Sequence, residues 1–309
     1  MAMLGFFGRH GTIAVALSIV IGLALPMLAA FFKPLLGPAI VMLLILAFLR
    51  VEPSALAGLA RRPALPVMSA LWIMVALPVI LGVIFNASGL AASLPDLYLM
   101  LMLQACAPGL MSSPALAALI GVDVALTLAG LLLTMIVAPV VAAVFTHVFL
   151  GITIITPLEL AVRLFLLIAG SAAAAALIRR IAGTARIERN RDMIDGLSVA
   201  GMFIFAMAAM DGVAAHFIAA PLLVAALTLL TFGLSLGTML ATTLLFLPAG
   251  RERAFSIGIL AANRNVGIML TATGFAVPEL AWLYFGLAQF PIYLLPLVLK
   301  PLARRLGRG

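Results

Sequence analysis

Two asparagines and an arginine stand together in a segment that is otherwise almost entirely apolar. Asn263, Arg264 and Asn265 fall within residues 255–276, and Gly267 follows shortly after. If this segment crosses a membrane, hydrocarbon offers no water to solvate the polar groups, so each must face protein, a cavity or a ligand. We therefore predict a ligand-binding site formed by these three side chains and Gly267, whose missing side chain permits close approach of the crossing backbone.

Arg264 is the strongest candidate among them. A guanidinium stays charged at any physiological pH, and its planar fork matches a carboxylate or phosphate in bidentate geometry. This chemistry favours an anionic ligand. The structural alternative is an internal ion pair with Asp123 or Asp211, and the sequence leaves both readings open.

A second apolar segment, residues 95–120, is interrupted as well. It contains Pro108, Gly109 and Pro114 within seven residues, with Ser112 and Ser113 between them. Prolines remove backbone donors and clash with the preceding turn, so a continuous helix is not expected there. The freed backbone groups must line a protein-enclosed cavity, which adds the two serine hydroxyls to the predicted site.

Composition identifies the class of protein. The chain has 309 residues, of which 66% are hydrophobic and only 9% are charged, whereas soluble domains carry about 25% charged residues. We predict an all-α integral membrane protein with ten spans of about 20 residues each. The predicted spans are Thr12–Phe31, Leu35–Leu49, Ala64–Phe85, Pro95–Ile120, Val124–Gly151, Pro157–Leu177, Ile194–Asp211, Phe217–Leu247, Phe255–Ala276 and Glu279–Leu299.

The interrupted segments are the fourth and the ninth span, and this placement suggests an internal repeat. Ten spans divide into residues 1–152 and 153–309, with the interrupted span fourth in each half. An odd number of spans per half gives the two halves opposite orientations. Paired interruptions at matching places point to the binding site of an inverted-repeat transporter, so we expect helices 4 and 9 to be broken and to cross.

Positive charge sets the predicted orientation. Most of the 18 Lys and Arg residues fall in loops on one side of the ten-span arrangement, while Lys33 falls in a loop on the other side. Basic loops lie on the cytoplasmic side, so both termini are predicted to be cytoplasmic in a multi-pass inner (plasma) membrane protein. The same bias accounts for the net charge of +8 without a nucleic-acid partner.

Other chemistry has little support in the sequence. The single cysteine, Cys106, permits no disulfide within the chain and no cysteine cluster, although a soft-metal role for it stays open. We find no histidine cluster, paired catalytic carboxylates or nucleophile elbow, so an enzyme is not expected. Asp211 and the histidines His147 and His216 are weak candidates for proton relay.

Three segments resemble the bile acid:sodium symporter family, in its bacterial branch. They are Ala107-Pro108-Gly109 with Ser112-Ser113, then Val122-Asp123-Val124-Ala125-Leu126-Thr127, and then Arg264-Asn265-Val266-Gly267. The resemblance implies a panel domain from spans 1, 2, 6 and 7, and a core domain from spans 3–5 and 8–10. It also implies transport of a small or amphipathic organic anion by alternating access.

The departures from the family pattern concern the coupling ion. Leu260 stands where the family has a carboxylate that holds sodium, Arg264 stands at a glutamine position, and Pro114 replaces an asparagine. A fixed positive charge beside a vacant sodium site repels a second cation. Ser113, Thr127 and Asn263 offer only neutral oxygens, a weak set for an ion. Sodium coupling is therefore doubtful, and Na⁺ or H⁺ stays open as the coupling ion.

Two further functions compete with this prediction. One is a proton-coupled or uncoupled efflux carrier of the same superfamily, including an arsenite carrier that uses Cys106. The other is a membrane receptor that binds a ligand without transporting it, because lost ion ligands are compatible with that role. No cofactor is expected in either case.

Overall fold

The computed structural model describes residues 11–51, 63–151 and 155–306, and this part of the chain is helical without a strand. Arg9, Arg61, Arg62 and Arg308, which contribute to the predicted charge bias, lie outside the described residues. The main helices are α1 (Gly11–Ala24), α2 (Pro26–Leu49), α3 (Ala64–Ala87), α4 (Pro95–Cys106), α5 (Ser113–Ile120), α6 (Val124–Leu150), α7 (Pro157–Ala182), α8 (Arg191–Ala208), α9 (Pro221–Phe246), α10 (Arg251–Ala262), α11 (Val266–Ala272) and α12 (Glu279–Leu306). Short helices at Leu90–Ser93, Thr184–Arg189 and Val213–Ala219 connect them.

Six helical stretches of the described chain are long and apolar enough to cross a membrane, judged by length and composition. They are Pro26–Leu49, Ala64–Ala87, Val124–Leu150, Pro157–Ala182, Arg191–Ala219 and Pro221–Ala249. The predicted fourth and ninth spans are not among them, because each is broken into pieces of 12 residues or fewer. The part of the chain that the structure describes is thus all-helical and suited to a membrane.

The predicted boundary between the first two spans is wrong. The helix breaks at Leu25, whose backbone leaves the helical region (φ −124°, ψ 74°), and α2 then continues from Pro26 to Leu49. The physical reason is Pro26, which disfavours helical geometry at the residue before it. Lys33, predicted to lie in a loop, is part of a single 3₁₀ turn within α2, at Lys33–Leu35.

The helices pack in two groups. Helix α2 contacts α1, α7 and α8, and α8 also contacts α1, whereas α3–α6 pack with α9–α12. The groups meet where α7 contacts α6 and α11, where α2 contacts α11, and where α1 contacts α12. Both broken segments belong to the second group, and the functional candidates therefore lie close to the interface between the two groups.

Candidate functional site

The first break separates α4 from α5. Helix α4 ends at Cys106 because Ala107, which precedes Pro108, takes an extended conformation (φ −68°, ψ 144°), as expected for a residue before proline. Helix α5 then begins at Ser113. Between them the Gly109 N–H donates a 3.1 Å hydrogen bond to the Thr134 hydroxyl on α6, so this break is held partly by a neighbouring helix.

The second break separates α10 from α11 and contains no proline. Asn263 ends α10 in an extended conformation (φ −101°, ψ 96°), and its side-chain amide donates to the Ile259 carbonyl at 2.8 Å. Asn265 caps the start of α11, where its side-chain oxygen accepts from the Ile268 N–H at 3.4 Å. The two asparagines thus satisfy the helix ends of their own segment.

The two breaks lie side by side and pair through their backbones. Gly109 and Arg264 form an antiparallel bridge. The Leu110 N–H donates to the Asn263 carbonyl, and the Asn265 N–H donates to the Pro108 carbonyl, both at 2.8 Å. The interruptions predicted for both segments are therefore present, and each satisfies buried backbone groups of the other.

Arg264 extends from this bridge into the end of α4. The residue is 5% exposed. Nη1 donates to the Ala107 carbonyl at 3.0 Å, and Nη2 donates to the carbonyls of Ile73 at 2.5 Å and Ala105 at 3.2 Å. Ile73 lies in a π-helical turn of α3, Trp72–Ala76. The guanidinium is therefore surrounded by backbone carbonyl oxygens from α3 and from the C-terminal end of α4.

Neither of the ion pairs considered for Arg264 is formed. The Asp211 carboxylate bonds to the Lys33 ammonium at 2.7 Å. The Asp123 carboxylate caps the start of α6 through the Leu126 N–H at 2.9 Å. The alternative of an internal ion pair with either acid is therefore not realised, because each carboxylate is bound to another group.

Leu260 fills the place that the resemblance assigns to a carboxylate. The residue is 1% exposed, and its two methyl groups lie against Gly109 and Gly130. A Cβ added to those glycines would come within 2.5 Å and 2.7 Å of the methyls. The space beside the breaks is thus filled with hydrocarbon.

The predicted ion ligands do not form a cluster of free oxygens. The Thr127 hydroxyl donates to the Asp123 carbonyl at 2.8 Å, and the Asn263 amide is bonded within α10. The buried Ser113 hydroxyl has no hydrogen-bond partner. Across the described residues, no group of three or more His, Cys, Asp and Glu side chains could hold a metal ion.

A cavity of about 90 Å³ lies between the two helix groups. Asn265 and Ser112 line it, whereas Arg264, Asn263, Ser113 and Gly267 do not. Two of the six predicted ligand-binding residues therefore line the cavity, and the other four do not. The cavity is lined by Ile40, Leu43, Ala47, Arg50, Leu110, Met111, Ser112, Ala115, Ser198, Met202, Phe205, Asn265 and Tyr293.

Gly267 lies next to two side chains of the cavity wall. A Cβ at this position would come within 2.9 Å of the Phe205 ring and 3.1 Å of the Ile40 side chain. The glycine therefore lets α11 lie directly against α2 and α8, and its near neighbours are these two side chains rather than the crossing backbone that the sequence predicts. It also places the second break beside Ile40, on the cavity wall.

Arg50 is the cavity residue that sequence reasoning missed. It follows the last residue of α2, and its Nη2 forms a 2.6 Å ion pair with Asp195. Its buried Nε has no hydrogen-bond partner. Burial lowers the pKa of this guanidinium, and the Asp195 charge raises it in part. Since the ordinary pKa of arginine is above 12, the group stays charged at neutral pH.

At the other end of the interface the two helix groups are joined. The Lys33 ammonium lies 4.7 Å from the centre of the Trp282 ring, and the indole N–H donates to the Asp211 carbonyl at 2.9 Å. Arg163 pairs with Glu159, which precedes it by four residues, and also donates to the Ala272 carbonyl at 3.3 Å. These contacts tie α2, α7 and the segment that follows α8 to α11 and α12.

Comparison with known proteins adds no relative. No protein-family model matches the chain, and no curated protein matches it significantly. The family resemblance consequently rests on the three quoted segments.

Proposed function

We propose that this chain is a secondary transporter of a small or amphipathic organic anion in the inner (plasma) membrane. It works by alternating access between the two helix groups, which correspond to the panel and core domains that the resemblance implies. The proposal keeps ten spans in two inverted repeats, with both termini in the cytoplasm. Paired broken helices beside a cavity are typical of inverted-repeat transporters.

The lengths of the helices support the repeat. Each break follows a helix of 12 residues, α4 and α10, and precedes a shorter one of 8 or 7 residues. A long helix then follows in each half, 27 residues in α6 and 28 in α12. This order agrees with two copies of one architectural unit, in which α4–α5 and α10–α11 each form one broken span.

The cavity between the groups is the observation that carries the proposal. Its walls are mostly apolar, Asn265 lies at the break, and the charged Arg50 lies at the end of α2. Ile40 packs beside the break at Gly267 and precedes Arg50 by ten positions, a helical rise of about 15 Å. A mostly apolar site with one guanidinium, whose Nε has no hydrogen-bond partner while its Nη2 pairs with Asp195, suits an amphipathic anion.

Ligand binding tests this proposal with octanesulfonate and its uncharged counterpart octanesulfonamide, titrated calorimetrically into purified protein. A hydrogen bond to a charged group contributes about 1.5–3 kcal/mol, so we expect the sulfonate to bind at least about tenfold more tightly. Arg50→Gln should remove this preference. Arg179→Gln is the matched control, because Arg179 donates to the Leu49 and Val51 carbonyls and does not line the cavity.

Equal affinity for the two probes, or no binding of either, would contradict the anion-binding role of the cavity. A receptor that binds without transporting remains the competing function. It is separated by counterflow of octanesulfonate in proteoliposomes. A transporter accelerates exchange across the bilayer, whereas a receptor leaves exchange at the rate of protein-free vesicles.

A further inference from the structure

We infer that this transporter moves its anion without a co-transported cation, because the guanidinium of Arg264 permanently occupies the cation site of the first break. The transport consequence rests on the proposed function. The assignment of the cation site rests on the contacts of Arg264 alone.

The C-terminal end of a half-helix is a place for positive charge. Its last carbonyls have no partner within the helix and form the negative end of the helix dipole. In transporters with broken helices, such carbonyls coordinate the coupling ion. Here the carbonyls of Ala105 and Ala107, with that of Ile73, lie 2.5–3.2 Å from the Arg264 nitrogens. A cation that belongs to the protein therefore satisfies these oxygens.

Among the described residues, no charged ligand for a second cation lies beside the first break. Leu260 fills the space beside the break. In the ranges that the structure describes, no Asp or Glu is buried, and none lines the cavity. His147 is exposed and His216 is partly exposed. The buried Cys106, Tyr284 and Tyr293 are uncharged at neutral pH, because thiols and phenols ionise only at higher pH. Neither sodium nor a proton thus finds a charged oxygen ligand near the breaks.

The consequence is a direction of transport. An anion with one negative charge that crosses alone carries that charge with it, so the membrane potential acts on the transport step. A cell interior that is negative then favours movement of the anion outward. Among the functions that the sequence left open, this supports the uncoupled efflux carrier over the sodium symporter.

Melting of the purified protein tests the cation site without any transported substrate. We expect the wild-type melting temperature to be the same in sodium chloride and in choline chloride. Arg264→Ala should melt lower, and added methylguanidinium should restore part of the loss. The control is Arg163→Ala, which removes a half-exposed guanidinium and should gain nothing from methylguanidinium.

A saturable rise of the wild-type melting temperature in sodium would overturn the inference. So would equal stabilisation of all proteins by methylguanidinium. If Arg264→Ala does not fold, Arg264→Lys replaces it, since a lysine keeps the charge. We expect this variant to melt below wild type and to stay insensitive to sodium, and a sodium-dependent rise would again overturn the inference.

Transport tests the consequence in proteoliposomes that contain octanesulfonate, with potassium diffusion potentials set by valinomycin. The equilibrium distribution should change about tenfold for about 60 mV, with the negative side depleted, and a sodium or proton gradient should not alter it. A distribution that follows either gradient contradicts transport without a cation. No protein-dependent movement would contradict the proposed function, while the melting experiments still decide the cation site.

Discussion

The two helix breaks are alike in backbone geometry and different in how they are satisfied. Each pairs with the other through one N–H and one carbonyl. The second break is closed by its own side chains, since Asn263 and Asn265 bond within α10 and α11. The first break has no such residue, and its end carbonyls receive hydrogen bonds from Arg264.

This difference explains why asparagine, arginine and asparagine alternate. The two asparagines serve the helix ends on either side of them, and the arginine between them reaches across to α4. The polar triplet is thus needed by both breaks, and only Asn265 also lines the cavity. Two different arginines consequently carry the two charges: Arg264 carries the charge within the protein body, and Arg50 carries the charge at the proposed ligand site.

The largest expected effect comes from Arg264→Ala. It leaves three buried carbonyls without their donor, and each unsatisfied group costs about 1–3 kcal/mol, so the loss of unfolding free energy should be about 3 kcal/mol or more. Arg264→Lys should lose less, because an ammonium reaches some of the same oxygens. Melting in detergent measures both, and an Arg264→Ala protein as stable as wild type would remove the distinction between the breaks.

Gly109→Ala should disturb the first break through packing. The new Cβ would lie 2.5 Å from the Leu260 Cδ1, and overpacking of this kind costs about 1–3 kcal/mol. Combining it with Leu260→Ala should cost less than the sum of the two single changes, because the smaller side chain makes room. Additive losses in melting experiments would show that Leu260 does not press on this glycine.

The two asparagines should separate stability from binding. Asn263→Ala and Asn265→Ala each remove one helix-end hydrogen bond, at about 1 kcal/mol. Only Asn265→Ala should also change the affinity for octanesulfonate, because only Asn265 lines the cavity. Calorimetric titration of both variants checks this, and a matching change in Asn263→Ala would contradict the assignment.

The smallest effect is expected from Thr134→Val. It removes the hydroxyl that accepts from the Gly109 N–H, at about 0.5–1.5 kcal/mol, and it keeps the volume of the side chain. Thr127→Val is the control, since its hydroxyl bonds only to the Asp123 carbonyl. We expect neither variant to change the affinity for octanesulfonate. A change of affinity in Thr134→Val alone would show that the ligand site extends toward α6.

The sequence predicted the breaks because proline, glycine and clustered polar residues act locally. It did not predict the partners of Arg264, because these are backbone carbonyls, which no residue type marks in advance. The break at Leu25 was missed although Pro26 signals it, because the apolar run continues through both residues. Arg50 was interpreted only as a topology signal, since its place on the cavity depends on how α2 and α8 pack.

The measurement that tests the account most directly is the affinity of octanesulfonate for Arg50→Gln and Arg264→Lys, determined side by side by calorimetry. If Arg50 binds the anion and Arg264 holds the broken helix, Arg50→Gln should weaken binding about tenfold or more. Arg264→Lys should bind like wild type. The reverse result, with binding lost in Arg264→Lys and kept in Arg50→Gln, would contradict the separation of the two charges.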